Sequence, residues 1–141
     1  MTVRYANEGD FGLLCGNDRH ICADELRSSI EAKRILVILD GGRTAGWLRY
    51  NLFWDNLPFL NMLYLFEEYR GKGYGAQLVQ HWEQEMAGAG YREVLTSTLS
   101  NERGQFFFRK RGYTDCGALL LPGEPLEIIL RKELTGQTDL S

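Results

Sequence analysis

The chain predicts a single domain of the α/β (α+β) class, and three stretches carry that expectation. Ile35-Leu36-Val37-Ile38-Leu39 is a continuous apolar, β-branched run; Asp40-Gly41-Gly42-Arg43 supplies a turn, and Ala45-Gly46-Trp47-Leu48-Arg49-Tyr50 resumes as a second strand, which reads as a β-hairpin. Phe59 to Phe66 reads as a third strand, after which the hydrophobic period changes. From Gly75 onward Leu78, Val79, Trp82 and Met86 share one face at helical spacing, until Gly88-Ala89-Gly90 stops the helix. A second strand and helix and a closing hairpin complete the pattern.

Taken in order, a short strand at Val3–Tyr5 leads into a polar, helical stretch from about Asp10 to Lys33, where Ile21, Leu26 and Ile30 recur at near-helical spacing. After the first hairpin comes the connection Asp55-Asn56-Leu57-Pro58, and the strand that follows is apolar enough to be covered on both faces. Glu93 to Leu99 reads as a further strand. It precedes a short helix with Asn101 as its N-cap and Gly112 as its stop. Tyr113–Leu121 and Leu126–Lys132 form the last hairpin, joined by Pro122-Gly123, which suits the centre of a type II turn. The domain spans residues 1–134, and 135–141 read as a short polar tail.

Composition narrows the function classes. The 141 residues are 44% hydrophobic and 25% charged, enough for one compact core and little more. A net charge of −3 without any long Lys/Arg run argues against nucleic acid as a partner. No apolar run reaches the roughly 20 residues of a membrane span, and the first residues lack a signal-peptide core, so the expectation is a cytoplasmic protein with no membrane partner. Cys15, Cys22 and Cys116 form no CxxC pair and are odd in number, which suggests neither a disulfide framework nor a zinc site, even with His20 beside two of them. His20 and His81 read as solvent-facing or capping residues.

The chemistry concentrates in Arg70-Gly71-Lys72-Gly73-Tyr74-Gly75. Alternate glycines let backbone approach a ligand closely, and the helix that follows directs free N–H groups and its positive dipole end toward an anion, such as a diphosphate. Arg70 and Lys72 add charge that strengthens such bonds. By themselves the glycines also fit a plain strand-to-helix turn. Gly71-x-Gly73-x-x-Ala76 fits a dinucleotide fingerprint too, with Glu93 as the ribose acid, but a hairpin and a strand precede the motif and too little chain follows for a doubly wound sheet.

Two blocks resemble the GNAT superfamily of acetyl-coenzyme A-dependent N-acetyltransferases. Tyr64 to Leu78, with Arg70-x-x-Gly73-x-Gly75 after a strand and opening a helix, is similar to the family's cofactor signature; Asn101-x-x-Gly104-x-x-Phe107-Phe108-x-x-x-Gly112-Tyr113 is similar to its later motif. The Gly46-Trp47 strand also resembles a family strand. The likeness therefore covers about Ile35 onward, whereas the first thirty-odd residues, which help shape the acceptor site in the family, match loosely. It implies a GNAT-like domain with a central mixed, mostly antiparallel sheet of about six to seven strands flanked by about four helices.

By this resemblance Leu65 and Phe66 offer backbone bonds to the pantetheine arm of acetyl-CoA, the cosubstrate, and Gly71, Lys72, Gly73, Tyr74 and Gly75 hold its pyrophosphate with help from Arg70. Asn101 contacts pantetheine, while Phe107, Phe108 and Arg109 or Arg111 lie toward the sulfur or the nucleotide, although Phe106-Phe107-Phe108 also fits plain core packing. The acceptor implied is the primary amine of a small molecule or peptide, and the resemblance leaves a homodimer open.

Two departures bear on catalysis. An amine must lose a proton before attack, and where the family often has a Glu this chain has Phe59. Asp55 is then the first carboxylate candidate, ahead of Glu67 and Glu68. Phe108 stands where many members carry the Tyr that protonates the leaving thiolate, so Tyr64, Ser97 or a water is left for that task. The alternatives are a catalytically silent coenzyme A-binding sensor or partner subunit and, on the glycines alone, a nicotinamide-dependent oxidoreductase. Leu52 to Phe59, rich in aromatics, fits an acceptor pocket, a dimer interface or a hairpin end folded into the core.

Overall fold

The structure, a computed structural model, describes residues 1–134, and the polar tail expected at 135–141 lies outside the described residues. In chain order the elements are β1 (Thr2–Tyr5), α1 (Phe11–Asn17), α2 (Ala23–Glu31), β2 (Ile35–Asp40), β3 (Arg43–Phe53), β4 (Leu57–Leu65), α3 (Tyr74–Gly88), β5 (Glu93–Leu99), α4 (Gly104–Lys110), β6 (Thr114–Leu119) and β7 (Glu127–Glu133). The seven strands follow the order β1-β2-β3-β4-β5-β7-β6. The β4–β5 register is parallel, and β1–β2, β2–β3, β5–β7 and β6–β7 are antiparallel, which makes the sheet mixed and mostly antiparallel. The chain packs as two compact units, Met1–Asn51 with Met62–Trp82, and Leu52–Asn61 with the chain from Glu83 on; β3, β4 and α3 run through both.

In the first unit, β2 shows why an unbroken apolar run was needed. Ile35 and Val37 enter a core with Leu14, Leu26, Ile30 and Trp47, whereas Leu36 and Ile38, pointing the opposite way by strand alternation, are equally buried. Both faces of β2 are thus covered. The stretch 10–33 is two helices rather than one. Asp18 ends α1 with extended backbone, and its buried carboxylate accepts from Arg49 Nε at 2.9 Å, Trp47 Nε1 at 3.4 Å and the His20 N–H at 3.2 Å. A continuous helix would withdraw that carboxylate from three donors, so the chain breaks there.

β4 departs from the expectation of two covered faces. Pro58 and Leu60 are buried, Asn61 is exposed, and Met62 to Phe66 are half-buried. The β4–β5 register covers only Phe59↔Leu95 and Leu60↔Thr96, where Thr96 Oγ1 donates to the Leu60 carbonyl at 3.1 Å.

In the second unit, β7 pairs with β5 from Glu93↔Glu133 to Leu99↔Glu127 and with β6 on its other side. The β6–β7 connection is the expected turn: Gly123 has φ 75° and the Glu124 N–H donates to the Leu121 carbonyl at 3.1 Å. Buried Phe108 and Tyr113 lie 5.2 Å apart, and Glu83 accepts from Tyr113 Oη at 2.7 Å and Lys132 Nζ at 2.9 Å. Burial, with the Glu83 carboxylate beside it, drives the Tyr113 phenol far above its ordinary value, so it stays a donor.

Candidate anion-binding site

The site begins where β4 ends. The Phe66 N–H donates to the Ala45 carbonyl of β3 at 2.9 Å, a single 3-10 turn at Glu67–Tyr69 reverses the chain, and Arg70 N–H closes it onto the Glu67 carbonyl at 3.1 Å. Gly71 and Gly73 then take φ of 73° and 91°, left-handed values that cost a side-chain-bearing residue strain. The first helical bond of α3 runs from the Gln77 N–H to the Gly73 carbonyl, so the amides of Tyr74, Gly75 and Ala76 have no intrahelical acceptor. A Cβ added at Gly71 or Gly73 would meet nothing within 4 Å. The loop is therefore a cradle of donors open on its outer side, headed by a helix of 15 residues, with Lys72 exposed above it. These are the features a diphosphate requires, and Gly71 to Gly75 fit the cofactor that the sequence implies.

Gly46 serves a different purpose. A Cβ there would lie 2.2 Å from the Tyr64 carbonyl oxygen and 3.0 Å from Leu65 Cα. β3 thus presses directly on the end of β4, and the close approach explains a glycine inside a buried strand.

The other residues singled out in this unit have identifiable surroundings. Arg70 Nε donates to the Leu65 carbonyl at 2.8 Å, and its guanidinium lies 5.4 Å from the centre of the Tyr64 ring. Tyr64 also packs 4.7 Å from Trp47 and 5.5 Å from Phe66. Burial and the hydrogen-bonded Asp40 carboxylate push the Tyr74 phenol up, so it stays protonated.

In the second unit Asn101 does not cap α4. That helix starts at Gly104, after Arg103 without a side-chain cap, because Glu102 Oε1 turns back to accept from the Leu99 N–H at 3.1 Å and Gln105 Nε2 holds the Ser100 carbonyl at 2.7 Å. Asn101 itself is exposed. Phe108 is a core residue, Phe107 is half-buried under the Arg111 guanidinium at 3.9 Å, and Phe106 is exposed. Arg109 pairs with Asp115. Thr98 Oγ1, buried on β5, has no hydrogen-bond partner among the described residues, a group sequence reasoning missed because nothing in its neighbours marks it.

Asp55 sits in a tight turn, not a loop into the core. Trp54 and Asp55 both have positive φ, 56° and 65°, and the Asn56 N–H donates to the Phe53 carbonyl at 3.2 Å, the pattern of a type I′ hairpin. Trp54 is 77% exposed with its ring 4.7 Å from that of Phe53, which overturns the folded-in reading of this end.

A strand, a glycine-built left-handed turn and a helix N-terminus together form the kind of cradle that suits an anion. Residues 8–113 match the acetyltransferase (GNAT) family model, and the chain belongs to that family. Among solved structures it is similar to a GNAT-family acetyltransferase from Bacillus cereus ATCC 10987, at 23% identity and TM-score 0.75 with 94% of this chain and 96% of that chain covered. It is also similar to Ard1 from Thermoplasma volcanium, at 11% identity and TM-score 0.81 with 94% and 97% covered. A ribosomal-protein-alanine N-acetyltransferase from Brucella melitensis aligns at 18% identity and TM-score 0.78, with 95% and 100% covered. At these identities the likeness concerns the fold. No curated protein matches the chain. No helix among the described residues is long and apolar enough to cross a membrane.

Proposed function

We propose that this protein moves an acetyl group from acetyl-coenzyme A directly to a primary amine of a small molecule or peptide. The observation that carries the reading is the loop Gly71–Gly75, where left-handed glycines leave donors beside open space at the start of α3. Bound there, the cosubstrate would supply an activated thioester; the neutral amine attacks its carbonyl carbon, the C–N bond forms and the C–S bond breaks, coenzyme A leaves as the thiolate and takes up a proton from an acid or solvent, and the extra proton on the attacking nitrogen passes to a base or solvent. The chain's part is to hold the diphosphate with loop amides and Lys72 and to align the acyl arm along the end of β4, where strand alternation turns the Leu65 N–H away from β3. Asn101, Phe107 and Arg109 keep the roles that the family resemblance gives them.

A lysine-like amine has a reference pKa of about 10.4, so proton removal limits the rate near neutrality. Asp55 and Tyr64 are the candidate base and acid, each open to a single substitution, and the exposed turn position of Asp55 favours solvent as the proton acceptor. A second reading, a coenzyme A-binding module without turnover, is favoured by one feature. Phe108, at the position where many members have the acid, is buried against Tyr113 and carries no transferable proton.

Calorimetric titration with acetyl-coenzyme A and separately with NAD tests the first step. Binding of acetyl-coenzyme A alone, lost in Gly73→Val, supports the acyltransferase reading; NAD binding instead would replace it. Turnover in a panel of amines then separates the enzyme from the silent module.

A further inference from the structure

We infer that Arg70 is a positioning residue: its Nε–H straps the Leu65 carbonyl, so that the anion loop and the strand end before it form one preformed surface. What that surface binds rests on the acetyl-coenzyme A reading above; the strap itself rests on geometry.

Charge placement at the head of the loop suggests that Arg70 reaches for phosphate, but its side chain turns back across the 3-10 turn instead. The Nε donates to Leu65 O at 2.8 Å and the guanidinium covers the Tyr64 ring at 5.4 Å. The same short segment is held from its other side. The Phe66 N–H is bonded to Ala45 O at 2.9 Å, and Gly46 admits the Tyr64 carbonyl to within 2.2 Å of where a Cβ would stand. Along a strand successive residues direct their backbone groups to opposite sides, so with Phe66 turned to β3, Leu65 N–H and C=O point away from it. Arg70 takes the Leu65 carbonyl, and the neighbouring Leu65 N–H is left in a fixed direction for a ligand. A loop displaced by anion binding would pull on that carbonyl through Arg70, which couples the two ends of the surface.

The chemistry of the bond supplies the test. In Arg the Nε follows Cβ, Cγ and Cδ; Gln places its Nε2 donor at the same point along the chain without charge, whereas Met places a methyl group there. Arg70→Gln therefore keeps the strap and removes the charge, and Arg70→Met removes both. Arg70 is exposed, so both variants are expected to fold, and a melting curve checks this. In the ligand-free protein, the Phe66 amide should exchange its hydrogen about fivefold faster in Arg70→Met and at the wild-type rate in Arg70→Gln, as expected for loss of one hydrogen bond. Acetyl-coenzyme A affinity should fall about fivefold in the Met variant and stay within about twofold in the Gln variant.

Equal weakening in both variants with unchanged exchange would mean that Arg70 acts as a charge on phosphate, and the strap is wrong. No change in either variant overturns it as well. Failure of the wild type to bind acetyl-coenzyme A would sink the functional reading instead, while the exchange comparison still decides whether the strap exists.

Discussion

Three short segments among the described residues hold consecutive or near-consecutive left-handed backbone; Gly41-Gly42 closes the β2–β3 hairpin, and the other two are built from opposite residues. The loop at Gly71 and Gly73 uses glycine, with φ of 73° and 91°, whereas the hairpin turn uses Trp54 and Asp55, at 56° and 65°. Glycine adopts these values freely and leaves the outer side empty, so the loop's amides face open space. Trp and Asp adopt them at a cost of about 1–2 kcal/mol per residue, and what they present is side chain. The difference teaches that a left-handed turn made of glycine leaves its backbone uncovered, while one made of other residues is retained either for its side chains or because the turn type demands the geometry.

The comparison can be broken in several ways, of which Gly46→Ala has the largest expected effect. Because its Cβ would stand 2.2 Å from the Tyr64 carbonyl, the β3–β4 contact must shift, and a loss of about 3 kcal/mol in urea unfolding is expected. A loss below about 0.5 kcal/mol would mean that the close approach is not rigid.

Gly73→Asn comes next. Asn tolerates left-handed backbone, so it fills the open side with little strain; stability should change by less than about 1 kcal/mol while acetyl-coenzyme A affinity drops about a hundredfold, or about 2.7 kcal/mol. Retained affinity would show that the cradle is merely a turn. The reciprocal change, Trp54-Asp55 replaced by Asn-Gly, relieves the hairpin and should stabilise the protein by about 1 kcal/mol in the same denaturation assay, with cofactor binding unaltered. If binding weakens, the strained turn serves the ligand after all.

Asp55→Asn has the smallest expected effect. A catalytic base is worth about a hundredfold or more in kcat, but a carboxylate exposed in a turn sets the opposite expectation, unchanged turnover with several amines. A hundredfold loss would establish Asp55 as the base.

Much of this was legible in the residues, for reasons that differ by element. The β2–β3 hairpin, α3 and the Pro122-Gly123 turn are written locally: an apolar run bounded by glycines, a stripe at helical period, and a dipeptide whose Pro and Gly meet the angles of one turn type. The break between α1 and α2 was not legible, because its cause, Arg49 and Trp47 converging on Asp18, comes from residues 29 and 31 positions away in the chain. The turn centred on Trp54-Asp55 lies two positions before the expected connection at 55–58, a shift not legible because it lacks the Asn-Gly pair that normally announces a type I′ turn. Asn101 looked like a helix cap because its type favours that role, yet Glu102 and Gln105 satisfy the local backbone first.

The left-handed loop ahead of α3 followed from sequence alone, since glycines before a helix stripe determine both backbone freedom and the direction of the free amides. Family membership followed from two motifs in the right order. Only the tertiary structure decided what the side chains touch: near the loop, that Arg70 turns onto Leu65, that Tyr74 meets Asp40 and that Gly46 yields to Tyr64; and, in the second unit, that Phe108 belongs to the core. Local backbone preference acts between neighbours and can be read from them. Hydrogen-bond partners and close approaches depend on which segments the sheet brings together, and that is a property of the whole chain.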